Sequence, residues 1–318
     1  MPYHNIGMVE DRIIGRLKGN NGGKMLIVIG GIHGNEHAGV TAITRVFQKL
    51  QKEIADNGNF QMKGSVIGLI GNRRAWEKSQ RFIVKDLNRQ WETENIHRIV
   101  SSREDQLDEE DLEVKGLLET INTEINQEKP TQLVILDLHT TSADGGVFLM
   151  VDDRTDSLKI AMGVGEPVIK GMYEILSGTT LRFFNSENFG LPTTTIAFEA
   201  GQHDDPHSVA MSESAIYNIL EICGIIHQIP NKINPKQKNV NPPLVAEITY
   251  THHIKPEDDF FMKPGYQNFQ QLSAGEVIAF DKKGEICVPY DCRILMPLYQ
   301  EYGSEGFFLI REIPIEGL

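Results

Sequence analysis

The 318-residue sequence predicts an α/β fold that is followed by a smaller all-β region. Short apolar runs of strand length alternate with helix-like stretches over the first two thirds of the chain. A segment rich in Pro, Asn and Lys, residues 228–243, interrupts this alternation, and only short strand-like runs and turns follow it. Continuous apolar strands that alternate with helices favour a largely parallel or mixed sheet covered by helices on both faces.

The strands of the first region are expected where apolar residues run almost without interruption. We predict them at 24–30, 65–71, 133–138, 147–151 and 194–198. We predict helices at 36–52, 110–127 and 208–226. In sheets of this kind, ligands bind beyond the carboxyl ends of the strands. The polar residues that follow the first and third strands are therefore candidates for a functional site.

The composition of residues 228–243 is typical of a linker. We therefore divide the chain into a larger domain, residues 1–235, and a C-terminal β domain, residues 236–318. The second domain should contain a turn near residue 265 and a hairpin turn at 282–284. Its pattern is similar to that of a small β-sandwich, and we expect it to shape a pocket entrance or an oligomer contact.

Composition and charge narrow the range of partners. The formal net charge of −13 argues against a nucleic-acid partner held by phosphate contacts. No apolar run approaches the roughly 18 residues that span a bilayer, and the opening residues lack a signal-peptide pattern. Cys223, Cys287 and Cys292 form no C-x-x-C pattern. We therefore expect small buried thiols, reduced, in a cytoplasmic protein.

The run Val-Ile-Gly-Gly-Ile-His-Gly-Asn-Glu-His-Ala-Gly at 28–39 joins the first strand to the first helix. His33 and Glu36 lie on the intervening turn, where an imidazole and a carboxylate can reach one small cation. His37 competes with Glu36 as the second ligand, but a His33 and His37 pair needs one continuous helix face. Gly34 and Asn35 make the segment a turn, which favours His33 and Glu36.

A third ligand is expected from another strand end, because a catalytic zinc ion takes three protein ligands and keeps one open position. His139 is the candidate, since it falls where the strand at 133–138 enters a loop. Asp137 lies two residues earlier and points to the same side of an extended chain, where it could support a ligand or a substrate-binding group. We expect one zinc ion per chain, held by His33, Glu36 and His139.

A water activated by zinc also needs a general base within reach. Glu199 ends the β-branched strand at 194–198, and Gly201 allows the backbone to turn after it. We therefore predict that Glu199 is the base. His203 and His207 follow, and we interpret them as pocket or helix-cap residues. The acidic stretch 104–113 is interpreted as a solvated helix start.

Several arginines precede the acidic stretch in this acidic protein. Arg81 could stabilise a developing oxyanion, and Asn88 with Arg89 could hold a carboxylate from two directions. Arg73 and Arg74 are at least equally suited to balancing surface acids.

Four motifs together resemble the succinylglutamate desuccinylase/aspartoacylase family, a branch of the zinc carboxypeptidase-like fold. They are GGIHGNEHAG (30–39), NRRAWEKSQRFIVKDLNR (72–89), DLHTT (137–141) and FEAG (198–201). The resemblance implies a zinc hydrolase catalytic domain with a mixed sheet flanked by helices. It also implies cleavage of the amide bond of a small N-acyl amino acid, a linear amide.

The same resemblance implies roles for individual residues. His33, Glu36 and His139 would bind zinc, and Glu199 would activate the attacking water and deliver its proton to the leaving amine. Arg81 would polarise the scissile carbonyl, and Asn88 and Arg89 would grip the α-carboxylate.

One departure from the aspartoacylase branch concerns the substrate. That branch carries an arginine for a second substrate carboxylate ten residues before its catalytic glutamate, where this chain has Phe189. Arg182 is the nearest upstream arginine, and Tyr299 and Tyr302 are loose candidates for a tyrosine contact from the C-terminal domain. The identity of the acyl group and of the amino acid therefore stays open.

The sequence leaves two alternative functions open. A non-catalytic relative could bind metal or ligand through an intact fold, although every matched position is filled. A nucleotide-binding protein could cradle phosphate with Gly30, Gly31 and the following helix. The loop, however, lacks the G-x-G-x-x-G and P-loop patterns.

Overall fold

The computed structural model describes residues 12–57, 60–227 and 244–314. Its strands are β1 (Ile13–Lys18), β2 (Asn20–Gly30), β3 (Lys63–Ile70), β4 (Gln132–Thr141), β5 (Phe148–Val151), β6 (Val168–Lys170), β7 (Thr193–Gln202), β8 (Val245–His253), β9 (Phe261–Met262), β10 (Gln271–Leu272), β11 (Val277–Asp281), β12 (Gly284–Cys287), β13 (Cys292–Leu295) and β14 (Glu305–Glu312). Its helices are α1 (His37–Asp56), α2 (Arg73–Glu77), α3 (Thr93–Ser101), α4 (Glu109–Glu128), α5 (Thr155–Val164), α6 (Met172–Ile175), α7 (Thr180–Phe183), α8 (Ser186–Phe189) and α9 (Pro206–Ile222). Short 3-10 helices occupy Leu87–Arg89, Glu104–Gln106 and Pro256–Asp258.

A mixed sheet of eleven strands runs through the molecule in the order β1-β3-β2-β4-β7-β5-β6-β8-β14-β13-β10. Strands β3, β2, β4 and β7 are parallel neighbours, and β5 is antiparallel to β7. The carboxyl ends of β2, β4 and β7 therefore meet at one edge of the sheet. In the β4 and β7 pairing, His139 lies opposite Glu199.

Helices cover both faces of this sheet, as the sequence predicts. Along β2, Leu26 and Val28 pack in a core cluster with α1, α5 and α9. Met25, Ile27 and Ile29 point the other way and pack with α3 and α4. This alternation follows from the two-residue period of a strand. It explains why these strands are apolar on both sides, and it confirms the predicted α/β class.

Two strands extend further than the sequence predicts. β4 continues through Thr141 and β7 through Gln202, so His139 and Glu199 lie within paired strands. The expectation that His139 marks the entry into a loop is therefore wrong. Ladder hydrogen bonds between β4 and β7 hold both residues in an extended conformation, although their side chains are polar.

The C-terminal region is all-β, as predicted, but it is not a separate sheet. β8 pairs in parallel with β6, so β8, β14, β13 and β10 extend the large sheet. Only β12, β11 and β9 form a second sheet of three strands. The predicted hairpin turn is confirmed, since Asp281 pairs with Gly284 across Lys282 and Lys283. The predicted linker and the boundary between residues 235 and 236 lie outside the described residues.

All three cysteines are free thiols, and Cys223 and Cys292 are buried. Cys287 is exposed, which contradicts the expectation of a buried residue, because it lies on the outer strand of the three-stranded sheet. Within the described ranges, no helix is long and apolar enough to cross a membrane.

Candidate active site

The turn between β2 and α1 carries the first two candidate ligands. Glu36 is the N-cap residue of α1, but its side chain makes no capping hydrogen bond. Its Oε1 lies 2.7 Å from Nδ1 of His33 instead. Gly34 permits this turn, because a Cβ atom there would lie 2.1 Å from the carbonyl carbon of Ala75. The turn predicted from the sequence is therefore present, and it directs the Glu36 carboxylate into the site.

His139 completes a buried cluster with these two residues. Its Nδ1 lies 3.1 Å from Oε2 of Glu36, which also accepts a 2.9 Å hydrogen bond from the backbone N–H of Thr140. One ligand atom from each of His33, Glu36 and His139 falls within 4.8 Å of the others. Burial by itself would raise the pKa of Glu36, but the two imidazoles hold that pKa well below its ordinary value. The cluster is compatible with metal binding.

Each imidazole has a carboxylate at its second nitrogen. Nε2 of His33 lies 3.2 Å from Oδ1 of Asp86, and Nε2 of His139 lies 3.0 Å from Oδ2 of Asp137. Carboxylates in these positions orient the rings and leave the other nitrogen free to bind a metal. The His33 contact has hydrogen-bond geometry, whereas the His139 contact is an ion pair without it. Burial opposes protonation of His139, but Asp137 and Glu36 raise its pKa well above the ordinary value.

Glu199 lies beside this cluster on β7 and lines the same cavity. It is 5% exposed, and its Oε2 has no hydrogen-bond partner among the described residues. Burial raises the pKa of Glu199 to about 8, and the neighbouring carboxylates of Glu36 and Asp137 act in the same direction. A buried carboxyl group with a raised pKa and a free oxygen is suited to accepting and returning a proton.

Arg81 and Asp86 form an ion pair that links the loop at 78–86, which we call the arginine loop, to the cluster. Nε and Nη2 of Arg81 donate hydrogen bonds of 3.1 and 2.8 Å to Oδ2 of Asp86. Nη1 of Arg81 lies 3.8 Å from Oε1 of Glu36. Burial opposes ionisation of Asp86, but His33, Arg81 and Arg89 hold its pKa well below the ordinary value. No role was predicted for Asp86, because its partner His33 lies far away in sequence.

The loop that carries these residues is held by a buried glutamate of α4. Glu110 is fully buried and accepts backbone N–H bonds of 2.7, 2.9 and 3.2 Å from Ile83, Val84 and Lys85. Its Oε1 also accepts a 3.2 Å hydrogen bond from the Asn72 side chain. The interpretation of this acidic stretch as solvated is therefore wrong for Glu110.

Two neighbouring acids of α4 are buried as well. Asp111 pairs with Lys85 and Arg98, and Glu113 pairs with Arg12. The acidic stretch 104–113 does not by itself indicate these partners, because they come from other parts of the chain.

Asn88 and Arg89 follow this loop in a short 3-10 helix. Oδ1 of Asn88 accepts a 2.9 Å hydrogen bond from the backbone N–H of Thr180, whose hydroxyl donates to Oδ2 of Asp137 at 2.5 Å. The backbone bond assigns the amide oxygen of Asn88 and leaves the Nδ2 hydrogens available for another acceptor. Nη2 of Arg89 donates a 2.8 Å hydrogen bond to Oε2 of Glu305, which was not predicted to be near the site.

A cavity of about 100 Å³ connects the predicted site residues. His33, Glu36, His139, Glu199, Arg81, Asn88 and Arg89 all line it. Met296, Leu298, Gln300, Gly303, Glu305 and Phe308 line it from the C-terminal region. The expectation that this region shapes the pocket is therefore supported by its position.

Other candidates lie outside the cavity lining. His37 is exposed and packs on Trp76, with ring centroids 6.0 Å apart. Nδ1 of His203 lies 2.7 Å from the Thr140 hydroxyl. Tyr299 donates a hydrogen bond to a backbone carbonyl at Lys263.

Tyr302, Arg73 and Arg74 are also absent from the cavity lining. Tyr302 is 54% exposed and packs on Phe82. Arg74 pairs with Glu109 at 3.0 Å, and Arg73 lies 4.0 Å from Glu77, as expected of arginines that balance acids.

A match to a known family model shows the family to which the chain belongs. A family model described as the succinylglutamate desuccinylase/aspartoacylase catalytic domain matches residues 22–221. The chain belongs to this family. The matched range contains every ligand candidate and Glu199, and it ends within α9.

Relatives of the family are similar to parts of the chain. A probable aspartoacylase of Nostoc sp. is 28% identical over 175 residues, which cover 54% of this chain and 55% of the relative. The aspartoacylase of Rattus norvegicus is 30% identical over 139 residues, which cover 44% of this chain and 41% of the relative. The chain thus matches about half the length of these curated relatives.

Solved structures of the family share the fold over nearly the whole chain. A succinylglutamate desuccinylase/aspartoacylase from Rhodobacter sphaeroides is similar with a TM-score of 0.66 and 16% identity, covering 94% of this chain and 88% of that one. A succinylglutamate desuccinylase from Vibrio parahaemolyticus gives a TM-score of 0.60 and 14% identity, with 92% and 82% covered. The predicted fold, with its mixed sheet and smaller C-terminal β region, is confirmed.

Proposed function

We propose that the protein is a zinc-dependent amidohydrolase that cleaves the amide bond of a small N-acyl amino acid. Family membership and the names of its relatives support this class of reaction. The observation that carries the proposal is the meeting of His33, Glu36 and His139 with Glu199 at the end of three adjacent strands. The catalytic unit would be residues 1–235, with the β region at 236–318 forming part of the pocket wall.

The donor set fits a zinc ion. Two imidazoles and one carboxylate are a ligand set of catalytic zinc sites that keep a position open. The carboxylates of Asp86 and Asp137 at the distal ring nitrogens are the outer partners that such sites carry. When bound, zinc would supply a Lewis acid that polarises the substrate carbonyl and increases the acidity of water. His33, Glu36 and His139 would hold it.

Glu199 would move the proton during the reaction. Its free Oε2 can accept a proton from the attacking water and return it to the nitrogen of the leaving amine. Burial raises the pKa of Glu199 above its ordinary value, which favours the protonated form that returns the proton to the amine. Arg81 would stabilise charge that develops on the carbonyl oxygen, because its guanidinium lies at the cavity and Asp86 fixes its plane.

Asn88 and Arg89 would bind the α-carboxylate of the substrate. Asn88, whose Nδ2 hydrogens are available, and Arg89 both line the cavity. The small size of this cavity supports a small-molecule substrate rather than a macromolecule. The free thiols support a reducing compartment, and we propose a cytoplasmic location.

The test is turnover by zinc-loaded protein on a panel of N-acyl amino acids. Glu199→Gln keeps the size of the side chain but removes the proton acceptor, so we expect kcat to fall by roughly 100-fold or more. The exposed Glu187→Gln is the matched control and should keep wild-type activity. Full turnover by Glu199→Gln would show that the proposed base is wrong. Zinc bound at one per chain without hydrolysis of any substrate would favour a non-catalytic relative.

A further inference from the structure

Part of the cavity wall is apolar and belongs to the hydrophobic core. Met150, Met172, Leu181, Ala197 and Phe308 line the cavity and are each at most 5% exposed. They belong to one core cluster, against which the partly buried Leu176 and Met296 pack. Since these residues come from β5, α6, α7, β7 and β14, the wall is assembled from distant parts of the chain.

The backbone holds one of the methionines firmly. Met296 has a left-handed conformation, with φ of 50°, which is uncommon for a residue with a side chain. Its N–H donates a 2.7 Å hydrogen bond to Oδ1 of the fully buried Asn268. A strained position that a buried hydrogen bond maintains is more frequent at ligand sites than elsewhere.

The positive charges of the cavity are few and already paired. Besides the imidazoles of the metal cluster, Arg81 and Arg89 are the only cationic side chains in the lining formed by the described residues. Arg81 is bound to Asp86, and Arg89 shares its guanidinium with Glu305. Two nitrogens of Arg81 are engaged by Asp86, and the proposed function assigns its charge to the carbonyl oxygen. Arg89 with Asn88 therefore serves one substrate carboxylate, and the described lining offers no third cationic side chain for a second.

The residues in and near α8 do not provide a cation for a second substrate carboxylate. Phe189 packs on Phe184, with ring centroids 5.6 Å apart, at the edge of the core cluster beneath α3 and α4. Arg182 is exposed and absent from the cavity lining.

We propose that the substrate is an N-acyl amino acid with a single carboxylate and an uncharged, apolar group that packs on this wall. This inference rests on the proposed function, because it names the substrates of the same site. A second carboxylate would lose its hydration against Met172, Leu181 and Phe308 without a cation to compensate it. An apolar group gains free energy there, and methionine side chains adapt to groups of different shape.

The test is calorimetric binding to zinc-loaded Glu199→Gln protein, which retains substrates without cleaving them. One pair, N-acetyl-L-methionine and N-acetyl-L-glutamate, varies the amino-acid side chain at similar size. A second pair, N-pentanoylglycine and N-succinylglycine, varies the acyl chain. We expect the uncharged member to bind roughly 100-fold more tightly in at least one pair. The pair that shows the preference tells which side of the substrate meets the wall.

A charge variant tests the wall itself. Leu176 is partly buried at the edge of the cluster, so Leu176→Arg can add a cation with less disturbance than a change at the fully buried Met172. We expect it to reduce the preference by roughly tenfold or more, while the neutral control Leu176→Met keeps it. Thermal unfolding of each variant confirms that it is folded.

Two results separate this inference from the proposed function. Equal or tighter binding of the charged member in both pairs would overturn the inference, even if wild-type protein hydrolyses these compounds. Selective binding of the uncharged members without any turnover by wild-type protein would instead refute the proposed hydrolysis.

Discussion

Nη2 of Arg89 and Oε2 of Glu305 lie 2.8 Å apart, although 216 residues separate them in sequence. The pair joins the 3-10 helix at Leu87–Arg89 to the first residue of β14. Both side chains line the cavity, so the C-terminal region contributes a charge to the site. A substrate carboxylate at Arg89 must share the guanidinium with Glu305.

Removal of the Glu305 charge should strengthen carboxylate binding. Glu305→Gln keeps the shape of the side chain but removes the ion-pair partner of Arg89, so we expect KM for an N-acyl amino acid to fall roughly threefold to tenfold. Steady-state kinetics on wild-type and variant protein measure this change. Arg89→Lys loses the planar fork and should raise KM. A KM that rises in Glu305→Gln would mean that Glu305 mainly positions Arg89.

Glu110 should affect catalysis through the position of the arginine loop. Glu110→Gln replaces one acceptor oxygen by a donor that faces backbone N–H groups, so we expect a loss of roughly 1–3 kcal/mol in the free energy of unfolding. kcat/KM should also fall, because Arg81 and Asp86 follow the displaced loop. Denaturant unfolding and kinetics measure the two effects. The exposed neighbour Glu109→Gln is the control, and equal behaviour of the two variants would contradict the assignment.

Gly34 should be required for metal binding. In Gly34→Ala the new methyl group would overlap the backbone of Ala75 and Trp76, at 2.1 and 2.3 Å, so the turn that carries His33 and Glu36 must move. We expect the zinc content per chain, measured by elemental analysis, to fall well below that of wild type. Gly190→Ala introduces a methyl group into open space at a positive φ and should keep its zinc. Full zinc occupancy in Gly34→Ala would show that the turn tolerates the shift.

The buried thiol of Cys223 should lower the free energy of unfolding as the pH rises into the alkaline range. Burial raises the pKa of its thiol to about 11, whereas an unfolded thiol ionises near 8.5. Both states are protonated at neutral pH. Above about pH 8.5 only the unfolded state ionises, so this residue should reduce stability by up to roughly 2–3 kcal/mol as the pH approaches 11.

The measurement compares wild type with Cys223→Ala by chemical unfolding between pH 7 and 10.5. The stability difference between the two proteins should shrink as the pH rises, because only the wild type loses this contribution. A constant difference for Cys223→Ala would show that the buried thiol ionises as easily as an exposed one.

The sequence by itself determined the fold class, and the seven site residues that it predicts all line the cavity. Apolar runs and the turn at Gly34 and Asn35 placed His33 and Glu36 at a strand end, since both signals are local. His139, in the motif at 137–141, was predicted as a ligand because it directly follows the apolar strand at 133–138. The extension of β4 through Thr141 could not be predicted, because ladder pairing with β7 overrides the polar composition of its end.

Only the tertiary structure decided which partners these residues meet. The contacts of His33 with Asp86, of Glu110 with the backbone at 83–85, and of Arg89 with Glu305 join segments that no local periodicity connects. The apolar wall around Met172 and Phe308 likewise depends on the order of strands in the large sheet. Local sequence patterns set secondary structure and burial, whereas sheet order and register set which side chains share a cavity.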